Sequence, residues 1–417
     1  MSRYIVRSGS PLAGAVPISG ATKNSGLKQM AAALLAPGTT VLHNMCPVAD
    51  LAVMIDVMRA VGCAIDVDGD AVRIDTSGPL TPEAPYDLVR RLRASVNVLG
   101  PLLVRCGEAR VALPGGDNIG NRRLDMHFRG LEAMGAEIRI VHGFIEARAP
   151  QLFGARHVLE FPSNGATENL LSAAVLAKGT TVIENAAREP EITDLCAFLT
   201  RMGAHVVGGG TATIEIEGVE SLTPVESTIG ADRIEAATLL IACGIAGGEI
   251  MLEGASVDHL EMLALKLGDM GMRVSPSSEG IWARADGRLR AVDLVTLPHP
   301  GFATDVMPPM VALLAVADGN AIVTENIYDN RFGFTLELNR MGADIRTEGR
   351  HAVVRGVERL SGAPVTATDV RAGAALMLAA LAADGVTEIY GIDHVERGYG
   401  DLVGKLRALG ADVERVS

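Results

Sequence analysis

The sequence predicts an α/β protein of two domains, each built from three copies of one repeating unit. Its 417 residues exceed what one small core can use, so two domains are the natural expectation. A Met-Gly dipeptide or a close relative recurs six times, as Val61-Gly62, Met134-Gly135, Met202-Gly203, Met270-Gly271, Met341-Gly342 and Leu409-Gly410. The glycine spacings are 73, 68, 68, 71 and 68 residues, a period that marks a structural repeat. A second, more apolar helical segment recurs upstream of that dipeptide and ends in glycine and a β-rich run.

The elements follow from these patterns in order. The first 20 or so residues read as strands that pair with the last group of repeats. Each Met-Gly is preceded by an amphipathic helix, as in Leu195, Phe198, Leu199 and Met202. Each is followed by a short strand, such as Ala136-Glu-Ile-Arg-Ile or Ala343-Asp-Ile-Arg-Thr. The glycine is the expected residue after the helix, where the backbone turns left-handed. Upstream, Ala31-Ala-Ala-Leu-Leu-Ala-Pro-Gly-Thr-Thr-Val-Leu-His-Asn matches Ala173-Ala-Val-Leu-Ala-Lys-Gly-Thr-Thr-Val-Ile-Glu-Asn, with further copies from Ala312 and Ala379. Helices apolar on most faces belong inside a layered structure. An open solenoid would leave them unburied, so two closed groups of three are expected. The weakest motif between copies, Thr223-Pro-Val-Glu-Ser-Thr-Ile-Gly-Ala-Asp-Arg233, places the junction. The expected domains are residues 22–230, and residues 1–21 with 231–417, so that the chain crosses twice and leaves a cleft at the crossings.

Composition narrows the function. Hydrophobic residues make up 48% and aromatic ones only 3%, so the cores are aliphatic. A net charge of −13 argues against a nucleic-acid binder, whose affinity comes from clustered cations. Cys46, Cys63, Cys106, Cys196 and Cys243 show no C-x-x-C pair and read as buried thiols of a reducing compartment. The nine histidines are isolated and no zinc motif appears, so no metal or other cofactor is expected. The first residues lack a signal-peptide core and no apolar run reaches membrane length. A soluble cytoplasmic protein, with no nucleic-acid or membrane partner, is the expectation.

One stretch carries the chemistry: Leu113-Pro-Gly-Gly-Asp-Asn-Ile-Gly-Asn-Arg-Arg-Leu-Asp-Met-His127. Its glycines mark a mobile loop with one carboxylate, Asp117, and two adjacent cations, Arg122 and Arg123. Beyond it Leu124, Phe128, Leu131 and Met134 recur at helical spacing, placing the arginines near a helix N-terminus that favours anions. Such a loop suits a lid over a phosphorylated substrate. Ser19-Gly-Ala-Thr-Lys-Asn24 puts Lys23 and Asn24 before the first apolar helix, and Phe302-Ala-Thr-Asp305 holds the equivalent place before another. Asp305 there reads as a helix cap or as a base. Arg331, Arg371 and Arg397 lie on further loops at matching repeat ends, which points to a small substrate with more than one negative charge. The sequence has no P-loop, Rossmann fingerprint or nucleophilic Ser elbow.

With these motifs the chain resembles the enolpyruvyl transferases, most closely their UDP-N-acetylglucosamine 1-carboxyvinyltransferase branch. The resemblance runs from Tyr4 to Val416. It rests on Lys23-Asn24, Leu92-Arg-Ala-Ser95, Leu113-Pro-Gly-Gly116, Asn185-Ala-Ala-Arg-Glu-Pro-Glu191, Asp232-Arg-Ile-Glu235, Thr304-Asp305, Asn330-Arg-Phe332, Thr368-Asp-Val-Arg371 and Arg397-Gly-Tyr399. It implies two inside-out α/β barrel-like domains of three repeats each. The implied reaction moves the enolpyruvyl group of phosphoenolpyruvate onto UDP-N-acetylglucosamine, at the start of peptidoglycan precursor synthesis.

Carried over by motif, Lys23, Arg122 and Arg397 look like phosphoenolpyruvate ligands, with Arg331 and Arg371 toward its carboxylate. Asp117 matches the lid acid, Asp305 the base for the acceptor hydroxyl, and Asp369 a supporting carboxylate. Arg122, Asp125, Ser163 and Gly165 match nucleotide-facing positions, and Arg93 a further cleft residue. Asn24, Arg123, Leu124 and Ile327 complete the implied binding set. The chain departs from the family pattern at Asp117, where most relatives carry cysteine, and at Thr22, Arg123 and Asn164, which touch the acceptor side. Another uridine nucleotide such as UMP in a specialised pathway, a catalytically silent nucleotide-binding paralogue and, more distantly, a shikimate-type acceptor remain alternatives.

Overall fold

The computed structural model describes residues 2–115, 119–120 and 122–417. The chain divides into two compact units. One comprises Met1–Ser19, Asp117–Arg122 and Ala231–Ser417, the other Gly20–Gly116 and Arg123–Gly230.

In the second of these, three inner helices, Leu27–Ala33, Leu99–Cys106 and Asn164–Ala174, form the buried centre. Three four-stranded sheets and the amphipathic helices Ala49–Ala60, Asp125–Ala133 and Pro190–Arg201 surround them. Strands such as Thr213–Glu217 alternate exposed and buried residues, as a sheet with one face on a core must. Each sheet repeats one plan, two antiparallel pairs and one parallel pair. Thr180–Glu184, for example, lies between Arg156–Val158 (parallel) and Thr213–Glu217 (antiparallel). Helices inside and sheets outside is the inside-out arrangement.

The other unit repeats it. Arg233–Ala246, Met307–Val316 and Val370–Leu381 pack on one another, and every residue of the last is buried, Arg371 included. The first strands belong here. Arg3–Arg7 pairs antiparallel with both Val386–Tyr390 and Asp412–Val416, and Leu12–Pro17 runs parallel to Gly248–Glu253. The repeat glycines Gly62, Gly135, Gly203, Gly271, Gly342 and Gly410 all have φ between +90° and +105°, the conformation that ends the helices where the sequence pattern says they end.

Three cysteines are buried and two, Cys46 and Cys106, are only half-buried, which corrects the expectation of five buried thiols. Burial pushes Cys63 and Cys196 up to about 12 and Cys243 to about 11, so these thiols are protonated and unreactive. Among the described residues no helix is long and apolar enough to cross a membrane, and no group of metal-ligating side chains gathers.

Candidate active site

In the Ala231–Ser417 unit a cluster of buried and half-buried charges lies at the starts of the inner helices. Asp305 lies inside a single 3-10 turn, Thr304–Val306, that leads into Met307–Val316, so the cap positions fall to Ala303 and Val306 and not to Asp305. The cap reading therefore falls. Its carboxylate instead accepts from Arg331 Nη2 at 3.0 Å through one oxygen and from Arg371 Nε at 3.2 Å through the other. Both arginines are almost fully buried, while the Asp305 side chain keeps 32% of its surface. An acid held between two buried cations and still open on one side can receive a proton from a bound hydroxyl.

Asp369 caps the Val370–Leu381 helix, its Oδ1 accepting from the amides of Arg371 (2.9 Å) and Ala372 (3.0 Å). The cap fixes the backbone from which the Arg371 side chain leaves. Burial works to lower the Arg371 pKa, but Tyr399, Asp305 and Asp232 together outweigh it and keep the guanidinium charged. Its Cζ lies 5.1 Å from the Tyr399 ring, and Arg331 Cζ lies 5.4 Å from that of Tyr328. Arg371 Nη1 and Nη2 and Arg331 Nε are buried without a hydrogen-bond partner among the described residues. Three such guanidinium nitrogens are costly unless an anion or water completes them.

Glu325, buried to 1% exposure, ties this cluster to a neighbouring loop. Its Oε1 accepts from the amides of Ile327 (2.7 Å) and Tyr328 (3.0 Å) and its Oε2 from Thr304 Oγ1 (2.9 Å). Ile327 is thereby placed beside the Asp305 turn. In the same unit Gly120 has φ +120° and lies so close to Asp329 that a Cβ would overlap its carboxylate. Arg397, half-buried, follows the short helix Asp393–Glu396. Glu396 is bound by Tyr4 Oη (3.2 Å) and Arg415 Nε (2.8 Å), which anchors that helix to two strands. Arg122, also half-buried, groups with this unit.

In the Gly20–Gly230 unit, Lys23 and Asn24 lie in a wide π-type turn, Thr22–Gly26, directly ahead of the first inner helix. Thr22 is buried there, and its Oγ1 accepts from the Cys46 amide at 2.6 Å, bracing the turn from below. The Lys23 ammonium pairs with Asp50, whose side chain is 1% exposed. Arg93, half-buried, opens the Arg93–Val98 turn.

Ser163 caps the Asn164–Ala174 helix by accepting from the Ala166 amide at 3.3 Å. Gly165, in its first turn, faces His127, since a Cβ there would lie 3.2 Å from both Cε1 and Nε2 of the imidazole. Burial, reinforced by Arg93 and partly offset by Asp125, drives His127 down to about 3, so it is neutral. Asn169 Nδ2 donates to its Nδ1 at 3.0 Å, which leaves the proton on Nε2. Leu124 is buried at the start of the Asp125–Ala133 helix, whereas Arg123 is 63% exposed and donates to Asp125 at 2.8 Å.

Asp117, the proposed lid acid, lies outside the described residues. Asp50, Glu325 and His127 were missed by sequence reasoning. Asp50 meets Lys23 27 positions away and Glu325 meets Thr304 21 positions away, with no spacing that announces either, and His127 looked like an ordinary end of the lid stretch.

A family model described as EPSP synthase (3-phosphoshikimate 1-carboxyvinyltransferase) matches residues 6–406. The chain is 50% identical over 413 residues to a UDP-N-acetylglucosamine 1-carboxyvinyltransferase of Corynebacterium jeikeium, covering 99% of each. It is 47% identical over 418 residues to the protein so named in Myxococcus xanthus, covering 100% of this chain and 99% of that one. Among solved structures, the enolpyruvyl transferase NikO of Streptomyces tendae superposes with a TM-score of 0.88 at 28% identity, covering 100% of this chain and 99% of that one. An EPSP synthase of Acinetobacter baumannii, at 18% identity and full coverage of both chains, shares the fold with a TM-score of 0.77. The chain belongs to the enolpyruvyl (carboxyvinyl) transferase family.

Proposed function

We propose that this protein transfers the enolpyruvyl group of phosphoenolpyruvate to the 3-hydroxyl of UDP-N-acetylglucosamine and releases phosphate, the first committed step of peptidoglycan precursor synthesis in the cytoplasm. The observation that carries the donor half is the set of buried guanidinium nitrogens on Arg331 and Arg371, beside Asp305, that have no hydrogen-bond partner among the described residues. A carboxylate is the planar anion that such donors match. The acceptor rests on full-length relatives at about 50% identity that bear the corresponding name.

In this reading Asp117 protonates the methylene carbon of phosphoenolpyruvate, C2 becomes oxocarbenium-like, and the acceptor oxygen attacks it as Asp305 takes the hydroxyl proton. The tetrahedral intermediate then loses phosphate and a proton from the new methyl group, which restores the double bond as an enol ether. Lys23, Arg122 and Arg397 hold the phosphate, and Arg331 and Arg371 hold the carboxylate. Asp369 positions Arg371. Asn24, Arg93, Arg123, Leu124, Asp125, Ser163, Gly165 and Ile327 are assigned to the acceptor. Residues 22–230, and 1–21 with 231–417, are the two domains of this reading.

Phosphate release from phosphoenolpyruvate, measured in parallel with UDP-N-acetylglucosamine, UMP and shikimate 3-phosphate, tests it. Turnover with the nucleotide sugar alone is expected. Turnover with UMP or shikimate 3-phosphate instead would move the acceptor, and release with none would overturn the reading.

A further inference from the structure

An ion pair, half-buried at Lys28 and buried at Glu168, lies beneath the Lys23–Asn24 turn and joins it to a polar network. Lys28 stands in the first turn of the Leu27–Ala33 helix, and its side chain folds back toward the helix start. Its Nζ donates to the carbonyls of Asn24 at 3.2 Å and Lys23 at 3.4 Å. The same ammonium lies 3.6 Å from Oε1 of Glu168, whose side chain is 5% exposed. Glu168 Oε2 accepts from Asn97 Nδ2 at 2.7 Å, and Asn97 Oδ1 accepts from Asn169 at 3.4 Å. All of these residues belong to the Gly20–Gly230 unit.

Taking an ammonium and a carboxylate out of water is costly, and an apolar pair of similar volume would join the two helices at least as well. What an apolar pair cannot do is aim N–H bonds at two backbone carbonyls. A π-type turn is a rare backbone form, found mostly as single turns, and side-chain bonds to its carbonyls hold it in one conformation. We propose that Lys28 and Glu168 are positioning residues for the transfer reaction. Glu168, oriented by Asn97, holds the Lys28 ammonium under the turn. Lys28 then fixes the carbonyls of residues 23 and 24, and with them the direction in which Lys23 and Asn24 leave the backbone. The roles of Lys23 and Asn24 rest on the function proposed above; the support given to their turn does not.

The test uses the double variant Lys28→Met with Glu168→Leu, which leaves neither charge buried alone. In the ligand-free protein, amide hydrogen exchange at residues 22–26 should quicken at least tenfold, while the 99–106 and 164–174 helices keep their protection. With phosphoenolpyruvate and UDP-N-acetylglucosamine, kcat should fall about tenfold, the scale of a lost hydrogen bond to a charged group, and Lys28→Arg should restore most of it. Unchanged exchange at 22–26 overturns the proposal. So does faster exchange with wild-type kcat and KM, because the pair is then only structural. If the double variant does not fold, Lys28→Met with the near-isosteric Glu168→Gln gives the same two readouts. A wild-type protein that releases no phosphate counts against the proposed function, while exchange at 22–26 still decides the positioning role.

Discussion

Two inner helices at matching places in their units begin in contrasting ways. The Val370–Leu381 helix is capped by Asp369 and carries Arg371 in its first turn, a cation buried to 2% exposure. The Asn164–Ala174 helix is capped by Ser163 and carries Gly165 there, with a neutral imidazole behind it. One start presents a fixed positive charge, which the proposed function assigns to the donor carboxylate. The other presents small residues and first-turn amides without intrahelical partners, which the proposed function assigns to the acceptor. In the proposed function the same architecture serves two chemistries, set by two or three residues at a helix start: charge for a compact, multiply ionised donor, and space for a larger acceptor.

The largest expected effect tests whether either start can work without the lid. Asp117→Asn should abolish most phosphate release, because no proton reaches the methylene carbon. Asp117→Cys should retain turnover and acquire time-dependent inactivation by the epoxide fosfomycin, which alkylates the lid cysteine of family members. A thiolate is the softer nucleophile, so the wild type should be untouched. Covalent inactivation of the wild type, or full activity in Asp117→Asn, would remove Asp117 from its role.

Next comes the cationic start. Arg371→Lys keeps the charge and loses the planar fork, so kcat/KM for phosphoenolpyruvate should fall by tenfold to a hundredfold, equivalent to about 1.5–3 kcal/mol. A smaller effect is expected at the open start. In Gly165→Ala the new Cβ would meet His127 at 3.2 Å, and a buried ring has little room to yield. The acceptor KM should rise several-fold and the donor KM should not.

The last effect is thermodynamic, not kinetic. His127 titrates near 3 in the folded protein against an ordinary value of about 6.5. Between those values the unfolded chain binds a proton that the folded one refuses, so stability drops as pH falls from about 6.5 toward 3. The slope contributed by one such group approaches about 1.4 kcal/mol per pH unit. Urea unfolding of wild type and His127→Asn at pH 7 and pH 5 should show a shallower acid dependence in the variant. Parallel curves would mean that the imidazole is not excluded from protonation.

How much of this was legible in the sequence depended on whether the signal was periodic. The six glycines announced the repeats because each ends a helix in a conformation that favours glycine, and the aliphatic helices announced the inner layer. Arg331 and Arg371 stood out as loop cations in a chain of net charge −13. Asp305 was ambiguous, since a carboxylate before a helix is a cap or a functional group, and only its place inside the 3-10 turn and its bonds to Arg331 and Arg371 decide between them. Asp50 and the Asn97–Glu168 pair were invisible. Their contacts join residues 27 and 71 positions apart, and no local pattern records such a pairing.

The central claim, that the two helix starts divide donor from acceptor, is tested most directly by substrate-resolved kinetics of Arg371→Lys and Gly165→Ala side by side. The prediction is that Arg371→Lys raises KM for phosphoenolpyruvate with the acceptor KM near wild type, and that Gly165→Ala does the reverse. If both variants shift KM for the same substrate, the division is contradicted.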